Sequence, residues 1–558
     1  MILASAGIVV AAAAAAAAIL LAPGRMRAAA MLLALALFPL LILGDQWHTP
    51  QIEDLRDKPT GLIALALAAT GAVVLLLAAV FHRWPIALPL AIVFALPFRI
   101  PLEAGGDTAN LLVPLYLVIA GGVLSVALRE WQESGGTPLL QLALGGPFGF
   151  LPGAAPRLPE GGTPALLPLT LAAVVVLYAL QTLYSPDFSK SLQNVCFFFV
   201  PFSLVYALLR EVEWDRKLLV LVLWVVAVGA VAFMVVGSIE YVTESLFWND
   251  QVIRSNEFHT YFRVNSIFWD PNIYGRYLAL VITVAMAALL WAKEKRTLAL
   301  LIALVGVLWL GLVPTFSQSS FAALLGGMAV LAALRWSWRW TLAAVGAGAV
   351  LAIVIVIFAG GVSTLSPDRL NVDTGGRSNL VSGGLNLFAD RPLWGYGAGS
   401  FPRAYREQVA TKKAPVEVSH TEPITVAAEQ GLIGLAAYAA LLFAALWTMS
   451  TALWGRGAPL RQPWSRPRQE PERPPQRELQ EGGAPTPPQR ELQEGGTPAP
   501  QPPTPAPTQT VARAAVLAAF AALLIHTMAY AGFYEDPIAW VLLAVGASLA
   551  AAPVRAGT

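Results

Sequence analysis

Between two long apolar stretches, residues 361–423 gather Arg369, Arg377, Arg391, Arg403, Arg406, Lys412 and Lys413, with a lone histidine, His420, near their end. Guanidinium groups recognise phosphate oxygens through charged hydrogen bonds, and an imidazole can take up a proton near neutral pH. Together, beside a membrane, they suit transfer chemistry on an anionic substrate. Arg377 lies in TGGRSNLVSGGLNLFADRP (374–392), whose spacing sets Leu380, Val381, Gly384, Leu385 and Phe388 on one stripe. This predicts a helix from near Thr374 to just before Pro392, lying against the membrane surface. Arg377 would then occupy the first turn, where the helix dipole disfavours a cation by roughly a few tenths of a kcal/mol. The unbonded N–H groups of the same turn, with the guanidinium, make a site for phosphate. The plainer alternative is an arginine reaching for lipid headgroups.

His420 precedes Thr421, Glu422 and Pro423, and proline there suits the first turn of a following helix. A helix N-terminus favours the neutral imidazole, the form a general base requires; Glu422 or Glu429 could orient the ring. A lone surface histidine is more often inert, and His259, in another polar loop, has no comparable setting. Upstream, RVNSIFWDPNIYGR (263–276) holds Arg263, Asp270, Asn272 and Arg276. Asp-Pro-Asn reads as a helix start capped by Asp270, which leaves the two arginines unexplained. TFSQSS (315–320) offers Ser317 and Gln318 on the same face, or simple loop polarity.

These groups need a scaffold, and composition defines it. The 558 residues are 57% hydrophobic and 13% charged, with mean hydropathy +0.63; soluble domains run near ~25% charged. Apolar runs near 2–22, 28–44, 61–81, 85–98, 110–128, 164–184, 195–209, 217–238, 272–291, 297–314, 320–334, 341–360, 424–450, 511–531 and 538–552 predict an all-α, polytopic transmembrane bundle of about 14–15 spans. The 85–98 run is short enough to be re-entrant. Continuous apolar runs exclude the alternation of a barrel. The first run lacks a basic leader and reads as a true span rather than a signal peptide. The single Cys196 excludes an internal disulfide and argues against a cysteine metal site. Net charge of +2 points to no partner.

Alternating the loops puts Arg25, Arg27, Arg83, Arg129, Arg210, Arg216, Lys217, Lys293, Lys295, Arg296, Arg335, Arg339 and Arg555 on one face, cytoplasmic by the positive-inside rule. The opposite short loops carry few cations: Arg56, Lys58, Arg99 and Lys190. The long segments 239–271 and 361–423 fall on that outer face with many arginines, against the topological trend, as an anionic ligand would require. Residues 1–360 form the bundle, 361–423 a helical external loop, 424–454 a span and 511–558 a closing hairpin. Between the last two, 455–510 repeats PPQRELQEGG and reads as a disordered cytoplasmic linker; the Gly- and Pro-rich loop 129–163 reads alike.

WDPNIYGRYLAL, TFSQSSFAALLGG, GGRSNLVSGGLNLFADRPLWGYGAGSF and SHTEPITVAAEQGLIGLAAY occur in that order. Over about residues 190–450 the chain thereby resembles the O-antigen ligase/polymerase family, which also includes O-linked protein oligosaccharyltransferases and teichuronic-acid polymerases. Each block alone is weak; the ordered set on one face is fairly specific. The resemblance implies a GT-C-like fold and a donor glycan on a polyprenyl (undecaprenyl) diphosphate carrier. It implies a glycan or lipid-glycan acceptor, and no cofactor, metal or nucleic acid. It gives Arg377 the diphosphate, His420 the acceptor hydroxyl, and Arg263 a share in binding. Two departures stand out: Gln318 follows Ser317 where the family often has arginine, so that Arg276 would compensate, and Thr421 follows His420 where asparagine is common.

The expected activity is glycosyl transfer at the outer face of a bacterial cytoplasmic membrane. His420 and Arg377 are the catalytic candidates; Arg263, Arg276, Asn272, Gln318 and Glu429 are the binding candidates. A lipid-linked glycan flippase would instead carry ionisable groups at mid-membrane. A peptidoglycan-type polymerase would use a carboxylate such as Asp270 as base.

Overall fold

The computed structural model describes residues 2–104, 107–133, 166–247, 249–258, 261–360, 377–409, 418–454 and 507–551. Most of the expected linker, most of the 129–163 loop, Arg369, Lys412, Lys413 and His259 lie outside the described residues. The chain runs through α1 (Ile2–Leu20), α2 (Arg25–Asp45), α3 (Pro50–Arg56), α4 (Thr60–Arg83) and α5 (Ala87–Ala95) into a hairpin, β1 (Ile100–Ala104) and β2 (Asp107–Leu111). Then follow α6 (Val113–Glu133), α7 (Leu166–Thr182), α8 (Phe188–Leu209), α9 (Arg216–Thr243), α10 (Asp250–Phe258), α11 (Pro271–Trp291) and α12 (Lys295–Leu312). Last come α13 (Gln318–Arg335), α14 (Trp338–Gly360), α15 (Arg377–Asp390), α16 (Phe401–Val409), α17 (Glu422–Trp454), α18 (Pro507–Thr527) and α19 (Pro537–Ala551).

This is a polytopic helical bundle. Eleven helices among the described residues are long and apolar enough to cross a bilayer, and α7 and α19 are shorter apolar helices. Lipid-facing surfaces are plain on α4, where Leu65 and Leu67 stand exposed. The one departure from all-helix is the hairpin, which pairs Ile100 with Leu111 in a segment expected to be loop.

The 85–98 run is not a full-length span. Its helix α5 has nine residues, about 13.5 Å at 1.5 Å per residue. Yet α4 and α6 run parallel: Gly121 packs on Leu77 and Ala78, and Arg129 reaches the carbonyls of Phe81 and His82 at the following turn. The chain between them therefore returns across the bundle, partly as helix and partly as extended hairpin. That crossing preserves the alternation of faces read from the charges.

α11 lies at the centre against α13 and α18. Gly275 faces Ser320 and Thr315, and Gly327 faces Thr283 and Ala522. Small residues let backbones approach closely where lipid provides no hydrophobic drive between helices. α17 is broken at Gly431 (φ 65°), where Leu432 N–H donates to Pro392 O at 2.7 Å and Gly397 N–H to Glu429 O at 2.7 Å. A Cβ at Gly431 would lie 2.4 Å from Leu393 O, so glycine is required there. The break fastens the segment after α15 to α17, and so sets Arg377 relative to His420.

Candidate functional site

Three segments between helices are tied down by buried glutamates. Glu240, at the end of α9, accepts from the N–H groups of Asn265 (3.1 Å) and Ser266 (2.7 Å). Glu422 accepts from Gly532 (2.6 Å) and Phe533 (3.1 Å). Glu429 accepts from Gly399 (2.9 Å) and Phe401 (3.0 Å). Each carboxylate satisfies two backbone donors that no regular structure serves, a cost of about 1–3 kcal/mol per donor if left open.

The Glu240 tether shapes the segment that carries Arg263. Arg263 Nε donates to Thr315 O at 2.9 Å and Nη2 to Asn272 Oδ1 at 3.2 Å. The same Asn272 oxygen accepts from Ser317 Oγ at 2.9 Å, and Asp270 caps α11 through Asn272 N–H at 2.6 Å, as its sequence predicts. Ser317 caps α13 and meets Ser319 and Ser320. The polar stretch 315–320 is thus an internal network, while Gln318 points out, exposed.

Arg377 is half-buried and is the first described residue of α15; the expected helix start near Thr374 lies outside the described residues. The buried face of the helix is Gly383, Gly384 and Leu387, whereas Leu385 is exposed. The expected stripe is therefore rotated, because the helix packs on α17 and α16 as well as facing the membrane. His420 sits half-buried before α17 in the left-handed region (φ 62°), a conformation that costs energy for a non-glycine residue and clusters at functional sites. Burial, and then the nearby Arg377 guanidinium, hold its pKa below the ordinary imidazole range, with Asp270 pulling upward. Arg263 is likewise lowered by burial, with Asp270 raising and Arg377 lowering it. Asp270 and Arg377 thus each act on both Arg263 and His420.

Deeper along α11, Arg276 Nη2 lies 3.0 Å from Asp536 Oδ2, both nearly fully buried. The orientation makes this an ion pair rather than a well-directed hydrogen bond, and Arg276 Nε and Nη1 have no partner. His526, also buried, has Nε2 at 3.1 Å from Ser319 Oγ and an unpartnered Nδ1. Arg99, half-buried at the base of the hairpin, is shifted down by burial, with Asp536 raising and Arg276 lowering it. The Tyr530 ring lies 6.5 Å from His420 and 5.6 Å from His526. Among the described residues no group of three or more His, Cys, Asp or Glu side chains is placed to hold a metal ion.

Residues 305–439 match the family model described as O-antigen ligase. Over this segment the chain is similar to O-antigen ligases. No curated protein matches the chain. The O-antigen ligase match includes Ser317, Arg377, His420 and Glu429. Arg99, Arg263, Arg276 and Asp536 lie outside it and reach the same face through the fold.

Against the sequence expectations, Arg377, His420, Arg263 and Asn272 converge, and Arg276 lies in the adjoining buried layer. Gln318 makes no hydrogen bond among the described residues and stands on the exposed side of the α13 N-terminus. Glu429 and Glu422 do not orient His420, because their carboxylates are occupied by backbone N–H groups; the carboxylate acting on the ring is Asp270. Ionisable groups are also commoner in the helices than the apolar runs suggest. Glu240, Arg276, Glu429, Arg513 and His526 are buried inside the bundle, each near a helix end. Sequence reasoning passed over Arg99, Tyr530, Asp536 and His526. Two signals were available: an arginine in an outer loop otherwise poor in cations, and a histidine within an apolar run.

Proposed function

We propose that this multi-pass membrane protein, with its ligase-like segment, is a glycosyltransferase that moves a glycan from a polyprenyl diphosphate carrier to a hydroxyl acceptor. The active face is the outer side of a bacterial cytoplasmic membrane. The acceptor O–H gives its proton to His420 as its oxygen attacks the anomeric carbon from the face opposite the carrier. The bond from that carbon to the phosphate oxygen breaks, its electron pair leaves with the diphosphate, and the anomeric configuration inverts. His420 then returns the proton to water. Arg377 and Arg263 face the charge that grows on the departing oxygen. Preorganised donors aimed at developing charge are worth about 3–4 kcal/mol each.

The observation that carries this reading is the convergence of a neutral-leaning imidazole and two arginines on one membrane face. A base must be unprotonated at working pH, and Arg377 favours that state in the same geometry that lets it bind phosphate. Asp270 is engaged as a helix cap, and it acts on the ring through its charge.

The test is transfer in detergent, without vesicles, from a synthetic polyprenyl-diphosphate glycan to an acceptor. Arg377→Ala and His420→Ala should each reduce product by about 10²–10³-fold with expression unchanged. Near-wild-type product from both variants defeats the mechanism. Loss in Asp270→Ala with activity kept in His420→Ala would hand the role of base to the carboxylate.

A further inference from the structure

Four arginines stand on this face, and their neighbours sort them into two pairs. Arg263 and Arg377 act on each other, and Asp270 acts on Arg263 and on His420. Arg99 and Arg276 act on each other and share Asp536. Tyr530 stands between the pairs, acting on both Arg99 and Arg263, with its ring beside both histidines. The second pair is the deeper: Arg276 is six residues past the Asp270 cap, about 9 Å along the helix axis. Its side chain leans back toward the helix N-terminus and the outer face.

The deeper pair carries a mark of a missing ligand. Arg276 is nearly fully buried, yet Nε and Nη1 have no partner. Buried guanidinium donors are costly to leave open, and Asp536 meets only one of the three nitrogens. A diphosphate diester carries one negative charge on each phosphorus, so each phosphate can take one pair of arginines. We infer that Arg99 and Arg276, held by Asp536, form a second phosphate subsite beneath the Arg263/Arg377 pair, so that the two phosphates of one diphosphate are bound by different pairs. Arg99 is thereby a binding residue for the donor, delivered by a hairpin from the opposite end of the chain. The inference rests on the glycosyl-transfer reading for the nature of the donor, but anion binding tests it separately.

Purified full-length protein in detergent is titrated calorimetrically with inorganic pyrophosphate and with orthophosphate. Wild type should bind pyrophosphate more tightly than orthophosphate. Arg99→Gln should weaken pyrophosphate about tenfold and reduce orthophosphate binding from two sites to one, while Arg99→Lys restores much of the affinity. Unchanged pyrophosphate affinity in Arg99→Gln overturns the inference, as does equal loss in the glutamine and lysine variants together with a lowered unfolding temperature. Weakened pyrophosphate binding in Arg99→Gln, with full transfer by His420→Ala, would sink the base assignment and leave the subsite standing.

Discussion

His420 occupies a left-handed backbone position beside an arginine, and both features bear on its proton. Its pKa lies below the ordinary 6.5 because burial and Arg377 disfavour the cation. A general base works when neutral, so the acid limb of kcat/KM should fall at a pH below 6.5. Asp270→Asn keeps the helix cap but removes the charge that raises the ring, so the limb should move to still lower pH. The residual activity of Arg377→Gln should show the reverse shift. A pH–rate profile with a limb indifferent to both substitutions would detach His420 from these neighbours. The same linkage gives the sign for stability: a depressed imidazole pKa stabilises the fold above the unfolded value, and that stability is lost as pH falls through the folded value.

At the scale of elements, the three glutamate tethers explain how irregular segments hold charged groups in register. Glu240→Ala leaves the Asn265 and Ser266 N–H groups unpaired, which should cost about 1–3 kcal/mol and appear as a lower unfolding temperature in detergent. Arg263 follows within the same segment, so KM for the donor should rise as well. Glu240→Gln, which still offers one accepting oxygen, should lose less. Gly431→Ala sets a Cβ against Leu393 O at a positive φ, and should destabilise the protein more than the same change at Gly346, where a Cβ meets open space.

Over the whole molecule, the two faces must remain distinct. Cys196 is buried, so background labelling by a membrane-impermeant maleimide should be small. Ser382→Cys, exposed on α15, should react in intact cells, whereas Arg339→Cys, exposed in the first turn of α14, should react only after permeabilisation. Labelling of both from the same side would invalidate the topology and the outer site with it. The buried ionisable groups lie toward helix ends rather than at mid-depth, an arrangement suited to chemistry at a surface and not to a path through the bundle.

Apolar run length set the helical membrane class, because a backbone in lipid has to satisfy its own hydrogen bonds. Local patterns gave the helix that carries Arg377, the Asp270 cap and the proline-opened helix after His420, since each depends on neighbours within a few residues. The rotation of α15, the tethering work of Glu422 and Glu429, and the joining of Arg99 to Arg276 and Asp536 were not legible there. Those contacts link positions separated by up to hundreds of residues, and their energies come from burial and charge pairing that exist only once the helices have packed. Composition thus selected the solvent, while the packing of distant segments selected which charges meet.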